Sequence, residues 1–325
     1  MLKIGLIGCG FMGAMHANCY KNIEGVEVTA FADIRKEKAL ELAKGSNAEI
    51  YSDGKDLIEK ANVDVIDICL PTYLHAKYAL LAMDKVKYLF VEKPVTLTMD
   101  EANEMLKKSV ETGCNVQVGQ VIRFWDEYVE LQKIIESRKY GNVINANFRR
   151  LSPRPLWGWN NWLLDNDLSG GAAQDLHIHD TDFVLSLFGT PRKFYSLKNK
   201  TGEGNSYINT LMEYDGFVVS VEGTWDLPST RPFEATFRVV FRKATIDNTG
   251  GKLMLYKDDD AEEIKIEKQQ LAGKVEGGNI SDLGGYFNEL LYFTSMAKDN
   301  KKIDKATLED AAESLKFVLG EIENA

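Results

Sequence analysis

The sequence predicts an α/β protein in two parts. The first is a parallel sheet with helices on both faces; the second is an α+β domain with an open, mainly antiparallel sheet. Three observations carry this. The chain has 325 residues, more than one core usually holds. Its first third alternates short β-like runs with longer helical ones, the pattern of a parallel sheet. Its later half is dominated by strand-like segments separated by turns. The expected division is residues 1–121 and 122–325, the last helices being able to pack back on the first domain.

In the first part, strands are expected at 3–8, 26–33, 63–70, 88–92 and 115–119. They are almost continuously apolar, as strands are when helices cover both faces of a sheet. Amphipathic helical stretches fall at 11–21, 36–44, 74–83 and 99–111, with a short helix at 53–60. After Gly119 the pattern changes. Residues 125–139 read as a helix ended by Gly141, and 143–150 as a strand. A loop rich in proline and tryptophan runs from Ser152 to Asn161, and a helix opening after Gly170-Gly171 reaches Phe188, with Gly189 as its cap. Strand-like segments follow at 194–199, 207–214, 218–225, 233–241, 252–256 and 263–267. Several alternate apolar and polar residues, and turn pairs such as Asp215-Gly216 separate them, which predicts an antiparallel sheet with one covered face. Helices at 283–297 and 307–322 close the chain, and Asp258-Asp259-Asp260 reads as a solvated loop.

Composition removes several function classes. Hydrophobic residues at 44% and charged residues at 27% are ordinary for a globular chain. A net charge of −10 without a basic stripe argues against a nucleic-acid partner. A small anionic cofactor stays compatible, because local backbone dipoles bind phosphate whatever the net charge. No apolar run approaches the roughly 20 residues that span a bilayer, so no membrane partner is expected. Glycines interrupt the opening segment and no cleavage-like site follows; it reads as a buried strand, and the expected location is cytoplasmic. Cys9, Cys19, Cys69 and Cys114 form no C-x-x-C pair and no metal-like spacing with histidine, so they read as small buried thiols with no metal site.

Gly8-Cys9-Gly10-Phe11-Met12-Gly13 is a G-x-G-x-x-G placed between an apolar strand and a helix, and a second strand ends in Asp33 twenty residues after Gly13. Gly8 permits the tight turn, Gly10 admits a pyrophosphate against the backbone, and Gly13 lets helix and strand approach. The helix start, at Phe11 and Met12, offers free N–H groups to phosphate. Asp33 suits the ribose hydroxyls of NAD and repels the 2′-phosphate of NADP. Arg35 keeps NADP possible, since it can pair with that phosphate.

Further segments occur together with this fingerprint: His16, Leu70-Pro71-Thr72 leading to His75, Glu92-Lys93-Pro94, Gly170-Gly171, and Asp175-Leu176-His177-Ile178-His179-Asp180. In that order and spacing the chain resembles the glucose–fructose oxidoreductase / inositol dehydrogenase (Gfo/Idh/MocA-like) family. The likeness runs from near residue 3 to about residue 190; the later β-rich half agrees only in general pattern. Where many relatives have a Gly-Lys-His-like turn before the Glu-Lys-Pro strand, this chain has Asp84-Lys85-Val86-Lys87-Tyr88-Leu89, which weakens any subfamily assignment.

The resemblance implies a Rossmann domain, a second domain whose open sheet face makes subunit contacts (a homodimer or homotetramer), and an active site between the domains. It puts Leu70, Pro71, Thr72, His75, Glu92 and Lys93 beside the cofactor. It also implies Lys93, Asp175 and His179 as catalytic residues acting on a sugar, cyclic polyol or sugar derivative. The residues support such roles. Hydride loss from a carbinol carbon requires the hydroxyl proton to leave, and a histidine titrating near ~6.5 suits that transfer. A lysine ammonium stabilises developing negative charge on the oxygen. Asp175 and His179, four apart on one helix, share a face.

Other readings stand beside these. Lys93 can be a solvated residue at a strand end, and His179 a satisfied core histidine. His177 is as readily structural as part of a site, and His16 and His75 either flank the cofactor or serve helix packing and capping. Trp157, Trp159 and Trp162 either line a sugar site or pin a loop, and Trp162 is the one expected to contact substrate. Arg123 either contacts substrate or ties the domains together by an ion pair. At the level of function, an NAD-dependent dehydrogenase competes with an NADP-linked carbonyl or dihydrodiol reductase and with a non-catalytic dinucleotide-binding regulator.

Overall fold

A computed structural model describes residues 1–201, 204–266, 271 and 283–325. The chain forms two compact units, Met1–Val121 with Gln270–Leu315, and Ile122–Gln269 with Lys316–Ala325.

The first unit is a Rossmann sheet. Its strands are β1 (Leu2–Ile7), β2 (Val26–Ala32), β3 (Glu49–Tyr51), β4 (Val65–Ile68), β5 (Tyr88–Val91) and β6 (Asn115–Val118). All pair in parallel in the order β3-β2-β1-β4-β5-β6. The order reverses between β1 and β4, and ligand crevices of such sheets open at the carboxyl ends of strands at that point. The covering helices are α1 (Phe11–Tyr20), α2 (Lys36–Leu42), α3 (Gly54–Lys60), α4 (His75–Ala82) and α5 (Met99–Thr112). A helix far along the chain, Gly284–Lys298, joins them: its Leu290 and Phe293 share one core with Ile4, Leu6, Phe31 and Phe90.

The second unit opens with helix α6 (Asp126–Ser137), which ends on Arg138 in the left-handed conformation (φ 52°) and not at Gly141, whose φ of 81° serves a later turn. Strand β7 (Val143–Pro153) runs three residues past the expected end, because Leu151 still pairs with Glu234 and Pro153 with Leu227. The tryptophan-rich segment then closes in 3-10 turns at Trp159–Leu164, kinked where Asn160 and Asn161 take the left-handed conformation (φ 51° and 54°), and in the short helix α7 (Asn166–Ser169), which Gly170 ends with a φ of 75°. The next helix differs from expectation near its start: after Gly171 and Ala172, Ala173–His177 is one π-helical turn, and Ile178–Phe188 (α8) is regular α-helix.

Strands β8 (Lys193–Thr201), β9 (Gly204–Tyr214), β10 (Phe217–Leu227), β11 (Glu234–Phe241), β12 (Thr245–Asp247), β13 (Met254–Tyr256) and β14 (Ala261–Glu263) complete an eight-stranded sheet in the order β14-β13-β12-β11-β7-β10-β9-β8. It is antiparallel except for the β7–β10 pair. The final strand lies earlier than the expected 263–267, whose last residue is outside the described ones. One face packs against the π turn and α8, Phe148 meeting Phe183. The last helices are Gly284–Lys298 (α9) and Leu308–Glu323 (α10). The four cysteines are buried free thiols, and burial pushes those of Cys9, Cys19 and Cys114 up to about 12.

Candidate functional site

The glycine turn is sterically committed. Gly8 has a φ of 95°, and a Cβ there would lie 2.4 Å from the Cys69 carbonyl oxygen. At Gly13 a Cβ would lie 1.9 Å from the Gly8 oxygen, so helix and strand meet at a distance only glycine permits. Gly10 is different: the nearest atom to a Cβ would be Arg35 Nη2 at 3.9 Å. That open side is what a ligand approaching the backbone needs. Gly10 is also the N-cap of α1 and supplies no side-chain bond to its first N–H groups, leaving those of Phe11 and Met12 for an anion. These residues therefore fit a dinucleotide pyrophosphate.

Asp33, at the end of β2, is 7% exposed. Its Oδ2 accepts the Cys9 N–H at 2.8 Å and its Oδ1 the Arg35 N–H at 2.8 Å. The Arg35 guanidinium folds onto the same carboxylate, with Nε 3.2 Å from Oδ1. Its Nη2 lies 3.4 Å from Oδ2, so the four acceptor positions of the carboxylate are all occupied, two of them by the part-exposed guanidinium, which ribose hydroxyls would have to displace.

The segments after β4 and β5 lie at the same edge of the sheet. Leu70 and Pro71 are part-exposed and lead into a 3-10 turn at Thr72–Leu74. Thr72 is buried, and its hydroxyl has no partner among the described residues. His75 is buried with Nδ1 2.8 Å from the Pro94 oxygen and Nε2 2.7 Å from the Leu70 oxygen. Both partners only accept. Burial lowers the ring's pKa, and the two carbonyl contacts offset this in part. The neutral ring thus donates to one carbonyl and leaves the other without its proton. Lys93 is part-exposed after a buried Glu92 and precedes Pro94 through a cis peptide bond. Its N–H donates to Glu92 Oε2 at 3.1 Å. His16 is fully buried beside Glu92 and Asp67.

In the second unit, Asp175 sits within the π turn and His179 on the first turn of α8. Asp175 alone is part-exposed in an otherwise buried run from 171 to 185. The neighbouring acids are already engaged. Arg123 grips Asp182 through Nε and Nη2, both at 2.7 Å, and Arg150 grips Asp180 at 2.6 and 3.2 Å. Arg123 thus makes an ion pair, but within its own unit and not the expected tie between domains, because its partner Asp182 lies on α8 of the same unit. His177 is fully buried against Glu321 at 3.1 Å, and a Cβ on Gly223 would come within 2.7 Å of it, so its surroundings are structural. Trp157 and Trp159 are each 40% exposed and so are not the buried pins of a loop; Trp162 is part-buried in the 3-10 turn. Sequence reasoning missed Asp67 and Glu289, both fully buried, and the Arg150–Asp180 pair. An acid in the middle of the apolar strand containing Asp67 was the available signal.

The same architecture is found in known proteins. The model of the oxidoreductase family with an NAD-binding Rossmann fold (GFO_IDH_MocA) matches residues 2–120, and that of the GFO/IDH/MocA C-terminal domain matches residues 128–247. The chain belongs to the Gfo/Idh/MocA family of NAD-binding oxidoreductases. It is 28% identical to a myo-inositol 2-dehydrogenase of Thermotoga maritima over 58% of this chain and 55% of that protein. It is 29% identical to the scyllo-inositol 2-dehydrogenase (NAD(+)) of Bacillus subtilis over 67% of this chain and 61% of that one. These matches span little more than half the length of the curated relatives. A solved oxidoreductase from Agrobacterium radiobacter, in complex with NAD+, L-tartaric acid and magnesium, shares the fold with a TM-score of 0.87 at 17% identity, covering 100% of this chain and 96% of that one. No helix among the described residues is long and apolar enough to cross a membrane.

Proposed function

We propose that this protein is a cytoplasmic NAD-dependent dehydrogenase that oxidises a hydroxyl-bearing carbon of a sugar, cyclic polyol or sugar derivative. The observation that carries the reading is Asp33, buried and aimed by Cys9 and Arg35, beside a glycine turn whose open side suits a pyrophosphate. Presence of Lys93, Asp175 and His179 in one chain, and the names of the inositol dehydrogenases it resembles, support the rest.

Bound NAD would supply the hydride acceptor. His179 takes the hydroxyl proton through its imidazole as the carbinol carbon is oxidised, and returns it in the reverse direction. Lys93 donates a hydrogen bond to the same oxygen and stabilises its developing charge. Asp175 orients the substrate or the histidine. NAD is favoured over NADP because Asp33 already holds Arg35, so a 2′-phosphate would have to break that pair and face the carboxylate. The enzyme acts as a homo-oligomer assembled through the outer face of the eight-stranded sheet.

Titration with NADH and NADPH, followed by nicotinamide fluorescence, tests the cofactor reading. NADH should bind more tightly, and Asp33→Ala should weaken it about tenfold or more. A screen of inositols and sugars with NAD then tests the chemistry: Lys93→Ala and His179→Ala should lower turnover by about a hundredfold or more while NADH still binds. Equal turnover in both variants would overturn the assignment, and a preference for NADPH would favour a reductase working through Arg35.

A further inference from the structure

His16 is fully enclosed and each of its ring nitrogens faces a carboxylate. Nδ1 lies 2.8 Å from Asp67 Oδ2 and Nε2 lies 3.0 Å from Glu92 Oε1, the second being an ion-pair contact more than an aligned hydrogen bond. The Tyr20 hydroxyl donates to Asp67 Oδ2 at 2.8 Å. The Cys69 thiol is 3.2 Å from Nδ1 and 3.4 Å from Asp67 Oδ1. Phe90 packs edge-on against the ring at 5.2 Å. Only a doubly protonated ring serves both acids. Burial disfavours that charge, but Asp67 and Cys69 outweigh it and hold the histidine well above its ordinary range.

The Glu92 carboxylate is shared. One oxygen faces His16, and the other accepts the Lys93 N–H. Gly119 leaves the space it needs, since a Cβ there would lie 3.0 Å from Oε1. A continuous polar path therefore runs from α1, the helix that begins at the glycine turn, to the backbone of Lys93.

We propose that His16 is a positioning residue: it locks the Glu92 carboxylate, and that carboxylate holds the amide of Lys93, so the phosphate-binding helix also fixes the backbone from which Lys93 projects. The functional meaning rests on the reading of Lys93 as the residue that polarises the substrate oxygen. Simple packing does not explain the arrangement, because an apolar side chain would fill the space without bringing a charge into the core.

Two measurements on the full-length protein test the clamp without a substrate. With only four histidines, ring-nitrogen NMR resonances are assignable by single replacements. Both nitrogens of His16 should carry protons at pH 8, and Glu92→Gln should lower its proton affinity tenfold or more. The titratable and charged groups around His16 are Asp67, Cys69 and Glu92 in direct contact, Tyr20 on Asp67, Cys19 on the same helix, and Glu289 and Tyr286 of α9, with Lys305 near Glu289. Hydrogen exchange supplies the second reading. Protection of the Lys93 amide should fall tenfold or more as His16 loses its proton, or in His16→Leu, while amides in the middle of α5 keep theirs. A neutral His16 at pH 8, or Lys93 protection that ignores its titration, would overturn the clamp, and the wild-type titration decides this even if His16→Leu does not fold. Failure of the catalytic reading would appear elsewhere, as undiminished turnover in Lys93→Ala, and would leave both readouts as expected.

Discussion

Glu289 is fully buried on α9, and neither of its carboxylate oxygens has a hydrogen-bond partner among the described residues. Burial first, then the nearby charge of Glu92, raises its pKa well above the ordinary carboxylate range; His16 and Lys305 pull the other way. The folded state thus binds this proton more tightly than the unfolded chain. Its stabilising contribution is full below the unfolded pKa of about 4.3 and is lost as pH rises through the folded value. His16, also raised, adds stability that is full below its unfolded pKa of about 6.5 and is lost at higher pH. We therefore expect wild-type stability, measured by urea unfolding, to fall between pH 5 and pH 8, and to fall less steeply in Glu289→Gln. Parallel slopes would show that Glu289 is ionised in the fold. None of this was legible in the sequence. The meeting of the glycine turn with Asp33 was, because the G-x-G-x-x-G spacing and the strand ending in Asp33 announce it. His16 and Asp67 are 51 residues apart, and only the pairing of β1 with β4 makes them neighbours.

Elements were legible in proportion to their length and periodicity. The longer strands and helices stood within one to three residues of their expected limits in most cases. The three-residue strands β3 and β12 were not seen, since three residues display no period. The π turn at Ala173–His177 was likewise invisible, because its extra residue leaves the hydrophobic pattern of the helix nearly intact. Helix α5 shows what fixes a boundary. The Thr98 hydroxyl accepts the Glu101 N–H at 3.3 Å, the Glu101 carboxylate accepts the Thr98 N–H at 3.2 Å, and Gly113 ends the helix with a φ of 72°. This reciprocal cap satisfies two of the helix's free N–H groups. Thr98→Ala should therefore cost about 1 kcal/mol, seen as a lower urea midpoint with an unchanged slope. NADH affinity should not move, which separates this effect from damage at the glycine turn.

At the scale of the whole molecule, the eight-stranded sheet sets the remaining expectation. Its inner face carries Phe148, Val219, Val221 and Phe237, all buried. Its outer face is divided. Toward β11 it is polar and internally satisfied: Arg149 bridges Glu222 at 2.9 Å and Glu234 at 3.3 Å, and Asn147 donates to Ser220 at 3.2 Å. Toward the β8 edge exposed apolar residues stand among polar ones, Val218 pairing with Glu213 and Leu197 with Asn209. Tyr195 pairs across strands with Leu211, and with Leu197 and Val218 on the same face these residues are 64%, 49%, 75% and 43% exposed respectively. Exposed apolar side chains grouped on a broad sheet mark a contact surface, and a second copy of this chain can meet them across a two-fold axis. A charge placed there would have to be buried on association, at a cost that exceeds what one apolar contact contributes. The wild-type protein is therefore expected to sediment as a dimer or larger at micromolar concentration, and Leu197→Asp with Leu211→Asp to sediment as a monomer with an unchanged circular-dichroism spectrum. Both residues point away from the buried face, so their replacement should leave the fold intact and isolate association. A monomeric wild-type protein would remove this face from the list of subunit contacts and leave its exposed apolar residues to another partner.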